Sequence, residues 1–338
     1  MMRALVLSRF GLDGLAFEER ESPAPGPGEV AIRVEAVTLN RRDLLLVEGV
    51  YNPRQSFPVV PASDCAGTVI AVGPGVTGFR PGARVVPAFF PDWVDGEPTM
   101  ANLMSSRGGH GGDGVLAETV IFPAHGIARI PDHLSAAEAA SLPCAGLTAW
   151  SALATHGGVK AGDTVLIQGT GGVAIFALQF AKLLGATTIV TTSSDRKGEA
   201  ARALGADHVI NYAANPRWAE AARKLAPDGI DHVIEVGGAA TLEGALRAVR
   251  PGGTISLVGV LSGAIAPLNL PLAVMRRVRL QGITVGSVRE FEAMLAAIGK
   301  ARMKPVVGAT FSFAESLGAF RAMKANSVFG KIAIDLAG

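Results

Sequence analysis

Over residues 1–125 the apolar positions fall in short runs rich in Val and Ile, at 3–7, 29–37, 67–72, 83–87 and 117–121. Turn formers separate them, as in Pro23-Ala24-Pro25-Gly26-Pro27-Gly28 and Gly73-Pro74-Gly75. Short β-prone runs cut by Gly and Pro predict a β-rich domain, a small partly open barrel or sandwich. Residues 88–114 carry no period and predict a long irregular lobe. From 135 to 157 the pattern turns helical. Beyond 164 it alternates: strands at 164–168, 187–192, 207–210, 231–236, 253–260 and 279–285, with helical stretches to 184, then at 195–204, 217–225 and 241–249. This spacing predicts βαβ units, an α/β fold with a doubly wound, six-stranded parallel sheet and helices on both faces. Val165-Leu166-Ile167 is apolar without alternation, as a strand covered on both faces requires. The tail, 286–338, has helical stretches at 289–299 and 313–324 and a strand at 331–336. It is too short to bury a core alone and is expected to pack on the β-rich domain. The expected division is therefore residues 1–145 with 286–338, and residues 146–285.

Composition narrows the class. With 338 residues, 49% apolar and 18% charged, the chain reads as a well-buried globular protein of two domains. The net charge of +2, and the lack of a Lys/Arg block interleaved with aromatics, argue against a nucleic-acid partner. The apolar run at 4–7 is too short for a signal peptide, and the apolar stretch at 173–184, broken by Gln179 and Lys182, is too short to span a bilayer. A soluble, cytoplasmic protein without a membrane partner is expected. Cys65 and Cys144, the only two cysteines, support neither a disulfide framework nor a four-Cys zinc site. The six histidines show no ligand spacing; His208 and His232 each follow an Asp at a strand start and read as structural.

Gly169-Thr170-Gly171-Gly172-Val173-Ala174 follows an apolar strand and opens a helix. Gly169 suits a tight turn, Gly171 a close backbone approach to a pyrophosphate, and Ala174 a helix lying close to the sheet. The helix N-terminus offers N–H groups and a positive dipole to phosphates. A second glycine run, Gly109-His110-Gly111-Gly112-Asp113-Gly114, has no strand before it or helix after it, and reads as a flexible loop. At the end of the next strand stands Thr191-Thr192-Ser193-Ser194-Asp195-Arg196-Lys197. An NAD site places Asp or Glu there to bind the ribose hydroxyls. Ser193 takes that place here, and Ser193, Ser194 and Lys197 suit a 2′-phosphate, so NADP(H) is expected over NAD(H). Asp195 is expected to cap the following helix.

Taken with Pro143-Cys144-Ala145-Gly146-Leu147-Thr148-Ala149-Trp150 and Asp207-His208-Val209-Ile210-Asn211-Tyr212, the stretch 162–173 resembles the medium-chain dehydrogenase/reductase superfamily over essentially the whole chain. The resemblance implies a β-rich, GroES-like catalytic domain interrupted by a Rossmann domain. Zinc members hold their metal with a Cys in Cys-x-x-Asp, a His in Gly-His-Glu, and a third Cys or Asp. This chain has Asn40 in Asn40-Arg41-Arg42-Asp43, Ser63 in Ala62-Ser63-Asp64, and only Cys144 retained. Residues 88–114 contain none of the four cysteines of the structural zinc lobe. No zinc is expected. The chain is similar to the zinc-free quinone oxidoreductase branch, which carries Asn-x-x-Asp and a following Gly-x-Tyr, here Gly49-Val50-Tyr51. That resemblance implies NADP(H)-dependent hydride transfer to a quinone or α,β-unsaturated carbonyl, with Asn40 donating to the carbonyl and Tyr51 a proton donor or cleft-lining residue. It implies Thr148 behind the nicotinamide, Val258, Gly259, Val260 and Val285 on the carboxamide side, Val236 and Gly237 near the ribose and phosphates, and Lys331 at the pyrophosphate. Segments 253–260 and 268–285 lie where the family's dimers pair their sheets, so a homodimer is expected. An NAD(P)-dependent alcohol or aldehyde dehydrogenase, or a dinucleotide-binding protein without turnover, are the alternatives.

Overall fold

The computed structural model describes residues 1–109 and 112–337. His110 and Gly111 of the second glycine run lie outside the described residues. The chain forms two compact units, Met1–Leu147 with Val285–Gly338, and Thr148–Thr284. In chain order the first unit supplies β1 (Met2–Leu7), β2 (Leu15–Arg20), β3 (Glu29–Leu39), β4 (Asp64–Val72), β5 (Arg84–Pro87), β6 (Thr119–Pro123) and β7 (Ile127–Arg129). The second supplies β8 (Thr164–Gln168), β9 (Thr187–Thr192), β10 (His208–Asn211), β11 (Ile230–Glu235), β12 (Val249–Leu257) and β13 (Arg279–Gly282). The chain then returns to the first unit with β14 (Val307–Ser312) and β15 (Lys331–Asp335).

In the first unit β1 and β2 form a hairpin, and a larger sheet runs β14-β15-β3-β4-β5-β7, with β6 also on β3. The long β3 serves three partners, β4 along one edge and β6 and β15 on the other at 29–33 and 36–39, and its register against β4 shifts at Ala31/Ile32 and again at Val34/Ala36. Such bulges bend and twist a strand, which curls this sheet around its core. Leu5, Leu7, Ile32, Val37, Leu39, Leu44, Leu116, Phe122 and Phe320 fill that core. The sequence pattern missed β2, β7 and β14. In β2 the charges Glu18, Glu19 and Arg20 mask the alternation of Leu15 and Phe17, β7 has three residues, and β14 alternates half-buried with exposed positions at a sheet edge.

In the second unit all strand pairs are parallel, in the order β10-β9-β8-β11-β12-β13. This is the doubly wound order in which the direction of winding reverses between β8 and β11, where such sheets bind ligands beyond the strands' C-terminal ends. The expected strand at 253–260 is shifted: β12 starts at Val249 and stops at Leu257. The backbone N–H groups of Val258 and Gly259 donate to Glu235 O, at 2.9 and 3.2 Å, which ties this segment to the end of β11 instead of to β13. Val258, Gly259 and Val260 therefore belong to a loop. Among the described residues no helix is long and apolar enough to cross a membrane.

His232 in β11 is buried and its Nε2 lies 2.9 Å from Ser256 Oγ. Burial, with the nearby Arg279 cation second, holds its imidazole down from 6.5 to about 4. A depressed histidine leaves the folded state unaffected above the unfolded value and destabilises it as pH falls through that window. Urea unfolding of wild type and His232→Gln should diverge between pH 6.5 and pH 4, with the wild type losing about 3 kcal/mol more. Parallel curves would contradict the assignment.

Candidate active site

β8 ends at Gln168, and the chain turns through Gly169 at φ +81°, a backbone conformation that favours glycine. Gly171 then caps the helix Gly172–Leu183 with no side-chain hydrogen bond to its first turn. A Cβ added at Gly171 would meet nothing within 4 Å. The turn thus leaves backbone N–H groups at a helix N-terminus facing open space, with half-buried Gly172 and Val173 in the first turn. These features fit a dinucleotide's pyrophosphate.

Beside this turn, at the reversal of the sheet, stands a carboxylate that the sequence reading missed. Glu235 ends β11 and is fully buried. Its Oε2 accepts from Gln168 Nε2 at 2.6 Å, and its Oε1 accepts from the backbone N–H groups of Gly237 and Gly238, each at 2.9 Å, and from the Thr241 hydroxyl. Gln168 Oε1 in turn accepts from Val236 N and Gly237 N at 3.3 Å. The pair fixes the loop that carries Val236 and Gly237. At Gly237 a Cβ would strike the Thr241 side chain, and at Gly259 it would lie 2.5 Å from Val236 O. Both glycines let the loops after β11 and β12 close on each other; Val260 beyond them is exposed. The available signal was a polar residue ending each of two apolar strands.

At the end of β9, Ser193 is exposed. Ser194, not Asp195, caps the helix Asp195–Ala203, its Oγ accepting from Lys197 N at 3.4 Å. Asp195 sits in the first turn and accepts from Asn211 Nδ2 at 2.7 Å. Lys197 is half-buried; burial, then the Arg196 cation, lowers its ammonium's pKa. Thr148 is buried at the start of the second unit. Val285, at φ +58°, is buried in the first unit.

The first unit gathers a buried polar cluster around Asn40, which precedes the helix Arg41–Val47. Asn40 N donates to Asp43 Oδ2 at 2.7 Å, so Asp43 closes the helix start while Arg42 Nη1 lies 3.4 Å from its Oδ1. Asn40 Nδ2 donates to Ser63 Oγ at 3.3 Å, and Ser63 Oγ donates to Asp64 Oδ1 at 2.7 Å. Asp64 Oδ2 accepts from Cys144 N at 2.9 Å. Cys144 stands in a π turn, Leu142–Gly146. The three family ligand positions, Asn40, Ser63 and Cys144, thus belong to one hydrogen-bonded chain.

Lys331, which the resemblance assigns to the pyrophosphate, lies in the same cluster. Its side chain is 3% exposed, and its Nζ donates to Asn40 Oδ1 at 2.6 Å. An ammonium only donates, so the atom it touches is the amide oxygen, and Asn40 Nδ2 must face the other way. Tyr51 is partly exposed, its ring stacked on the Arg42 guanidinium at 4.5 Å. Burial, and then the Asp64 carboxylate, push the Cys144 thiol's pKa well above its ordinary value. Among the described residues no three His, Cys, Asp or Glu side chains group as metal ligands would. Burial pushes Asp43 up from 3.8 to about 6, against the opposing pull of Arg42. A raised carboxyl contributes stability that is present below its unfolded value and lost as pH rises through about 6, the opposite sign to His232.

Comparison with known proteins agrees with both units. Residues 26–132 match the alcohol dehydrogenase GroES-like domain, and residues 172–300 match the zinc-binding dehydrogenase family. A zinc-type alcohol dehydrogenase-like protein of Schizosaccharomyces pombe is 40% identical over 334 residues, covering 96% of each chain. An acryloyl-coenzyme A reductase of Metallosphaera sedula is 30% identical, covering 94% of this chain and 96% of its own. An NAD-dependent alcohol dehydrogenase structure superposes with a TM-score of 0.91 at 34% identity, over 99% of this chain and all of that one. A mycobacterial protein solved with NADPH gives 0.83 at 29%, with coverage of 99% and 100%. The chain belongs to the medium-chain dehydrogenase/reductase superfamily and is a nicotinamide-dinucleotide-dependent oxidoreductase.

Proposed function

We propose that this oxidoreductase transfers a hydride from NADPH to a conjugated acceptor, an α,β-unsaturated carbonyl or a quinone, without a metal ion. The observation that carries the reading is the Lys331 ammonium on Asn40, the residue at the family's first metal-ligand position. Zinc is held by thiolate, imidazole and carboxylate donors. At the three family ligand positions this cluster offers an amide whose oxygen accepts from a cation, a hydroxyl, and a single thiol, while the Asp64 and Asp43 carboxylates beside them are taken up by Ser63 and Cys144 N and by Asn40 N. Such a donor set does not fit zinc. Without a Lewis acid, the acceptor must itself spread the incoming charge, as an enolate or hydroquinone does.

Bound NADPH would supply the hydride. Lys331 and Ser63 hold Asn40 with one Nδ2 hydrogen spent on Ser63; the other is the donor for the acceptor's oxygen. That hydrogen bond strengthens as negative charge develops, and the cluster is already organised for it. Tyr51 is the proton donor of this reading. The glycine turn holds the pyrophosphate, and Ser193, Ser194 and Lys197, with no carboxylate at 193, favour the 2′-phosphate. Thr148, Val236, Gly237, Val258, Gly259, Val260 and Val285 complete the nicotinamide and ribose contacts; a β-branched residue at φ +58° is the sort of strain that persists at functional sites. The named activity of the Metallosphaera relative and the NADPH of the mycobacterial structure support the reading.

The second reading, an alcohol or aldehyde dehydrogenase, is favoured by the retained Cys144 and by the name of the Schizosaccharomyces relative. One assay separates them. NADPH should be oxidised by an ortho-quinone or enone at a rate that chelator leaves unchanged, and NADPH should bind more tightly than NADH. Chelator-sensitive alcohol oxidation would establish the second reading. Tighter NADH binding would overturn the cofactor preference, and tight NADPH binding without turnover would leave a binding protein. We also infer a homodimer, because β13 ends its sheet and Leu261, Ile265, Leu270, Val274 and Met275 near it are exposed. A single-chain mass by light scattering would overturn that.

A further inference from the structure

Arg42 is 8% exposed, yet among the described residues its Nε and Nη2 have no hydrogen-bond partner. Its other nitrogen, Nη1, donates to Arg107 O at 2.7 Å and lies 3.4 Å from Asp43 Oδ1. The guanidinium is packed against two aromatic rings, Tyr51 at 4.5 Å and Phe89 at 5.6 Å. Burying charged donors without partners is costly, so this arrangement calls for an explanation. The two unpaired nitrogens are also the pair that share one edge of the guanidinium. Their N–H bonds point the same way, at the spacing of the two oxygens of a carboxylate. Gly109 lies against this edge: a Cβ there would be 2.4 Å from Nη2. Gly108 N and Gly109 N both donate to Gly112 O, at 3.1 and 3.4 Å.

We propose that Arg42 is a substrate-anchoring residue that takes a carboxylate on its Nε–Nη2 edge, making the enzyme a reductase of carboxylate-bearing conjugated carbonyls. The inference rests on the enone reading above and deepens it by naming the substrate class. Asn40, two residues earlier in the chain, offers its amide to the carbonyl oxygen, and Arg42 anchors the far end of the same molecule. The Tyr51 and Phe89 rings fix the guanidinium plane and thereby the plane of the bound carboxylate. The carboxylate displaces the Gly109 backbone from Nη2 when it enters.

The test compares trans-β-acetylacrylate with its methyl ester, and levulinate with methyl levulinate, on the NADP(H)-loaded protein. The wild type should prefer the acid in kcat/KM by about tenfold or more, and levulinate should bind more tightly than its ester by a similar factor. Arg42→Lys keeps the charge but not the two-pronged edge, and should cut both preferences by about tenfold. Gly109→Ala, which places a methyl against Nη2, should raise the KM for the acid more than for the ester. Equal treatment of acid and ester by the wild type, or an equal loss for both in Arg42→Lys, would overturn the proposal. Turnover of the ester in that case leaves the enone reading standing. If neither compound is reduced, the enone reading fails, and equal binding of levulinate and its ester would overturn the Arg42 assignment by itself.

Discussion

Glu235→Ala should lower the unfolding free energy by about 3–5 kcal/mol and weaken NADPH binding about tenfold or more. The carboxylate is fully buried and collects four donors: the Gln168 amide, the Gly237 and Gly238 N–H groups, and the Thr241 hydroxyl. Alanine leaves the Gln168 amide and the Gly238 N–H without this acceptor, and leaves Gly237 N–H and the Thr241 hydroxyl only their longer bonds to Gln168 Oε1 and Gly238 O. The loop carrying Val236 and Gly237 then loses the anchor that sets it beside the glycine turn. Urea unfolding reads the first effect, and NADPH fluorescence titration reads the second. Glu235→Gln should fall between wild type and alanine, because its amide oxygen replaces only one acceptor. A Glu235→Ala protein with unchanged NADPH affinity would show that the loop is not part of the dinucleotide site.

Lys331→Met should reduce kcat about 100-fold while changing the NADPH dissociation constant by less than about twofold. Its ammonium sets which face of the Asn40 amide is the donor. Without it Asn40 keeps only its Nδ2 bond to Ser63, and the hydrogen bond proposed from its amide to the developing oxyanion should weaken. The variant also removes a cation that pulls the Asp43 carboxyl down, so Asp43 should titrate still higher and the pH at which its contribution to stability is lost should move up. A pyrophosphate ligand would behave differently. Its loss would weaken NADPH binding in a salt-dependent way and leave kcat largely intact. Measuring kcat, the NADPH constant and the pH profile on one variant therefore decides between the two roles.

These two residues mark the limit of what the chain discloses before it folds. The parallel sheet was readable because Val165-Leu166-Ile167 and its counterparts are buried on both faces, and that burial dictates composition locally. The glycine turn was readable because a strand, three glycines and a helix are contiguous. Asn40, Ser63 and Cys144 were each recognisable because each sits in a motif of its own, and the fold joins them in one hydrogen-bonded chain. Lys331 did not disclose its partner, because Asn40 lies 291 positions away and meets it only where β15 pairs with the end of β3. Gln168 and Glu235 lie 67 positions apart and meet because β8 and β11 are neighbours at the sheet's reversal. The unpaired edge of Arg42 has no sequence signature, since an arginine in a first helical turn is ordinarily solvated. The strand at 253–260 was misplaced because Val258-Gly259-Val260 has strand composition, whereas its N–H groups are drawn to Glu235 O.

Hydride delivery to a conjugated carbon without a metal is read from the position of the label after reduction of an enone by NADPH deuterated at the transferring position, in chelator. Hydride delivery without a metal should give a saturated ketone with deuterium on the β-carbon, formed at the same rate with and without chelator. Deuterium on the carbonyl carbon of an allylic alcohol, formed only when zinc is restored, would contradict it.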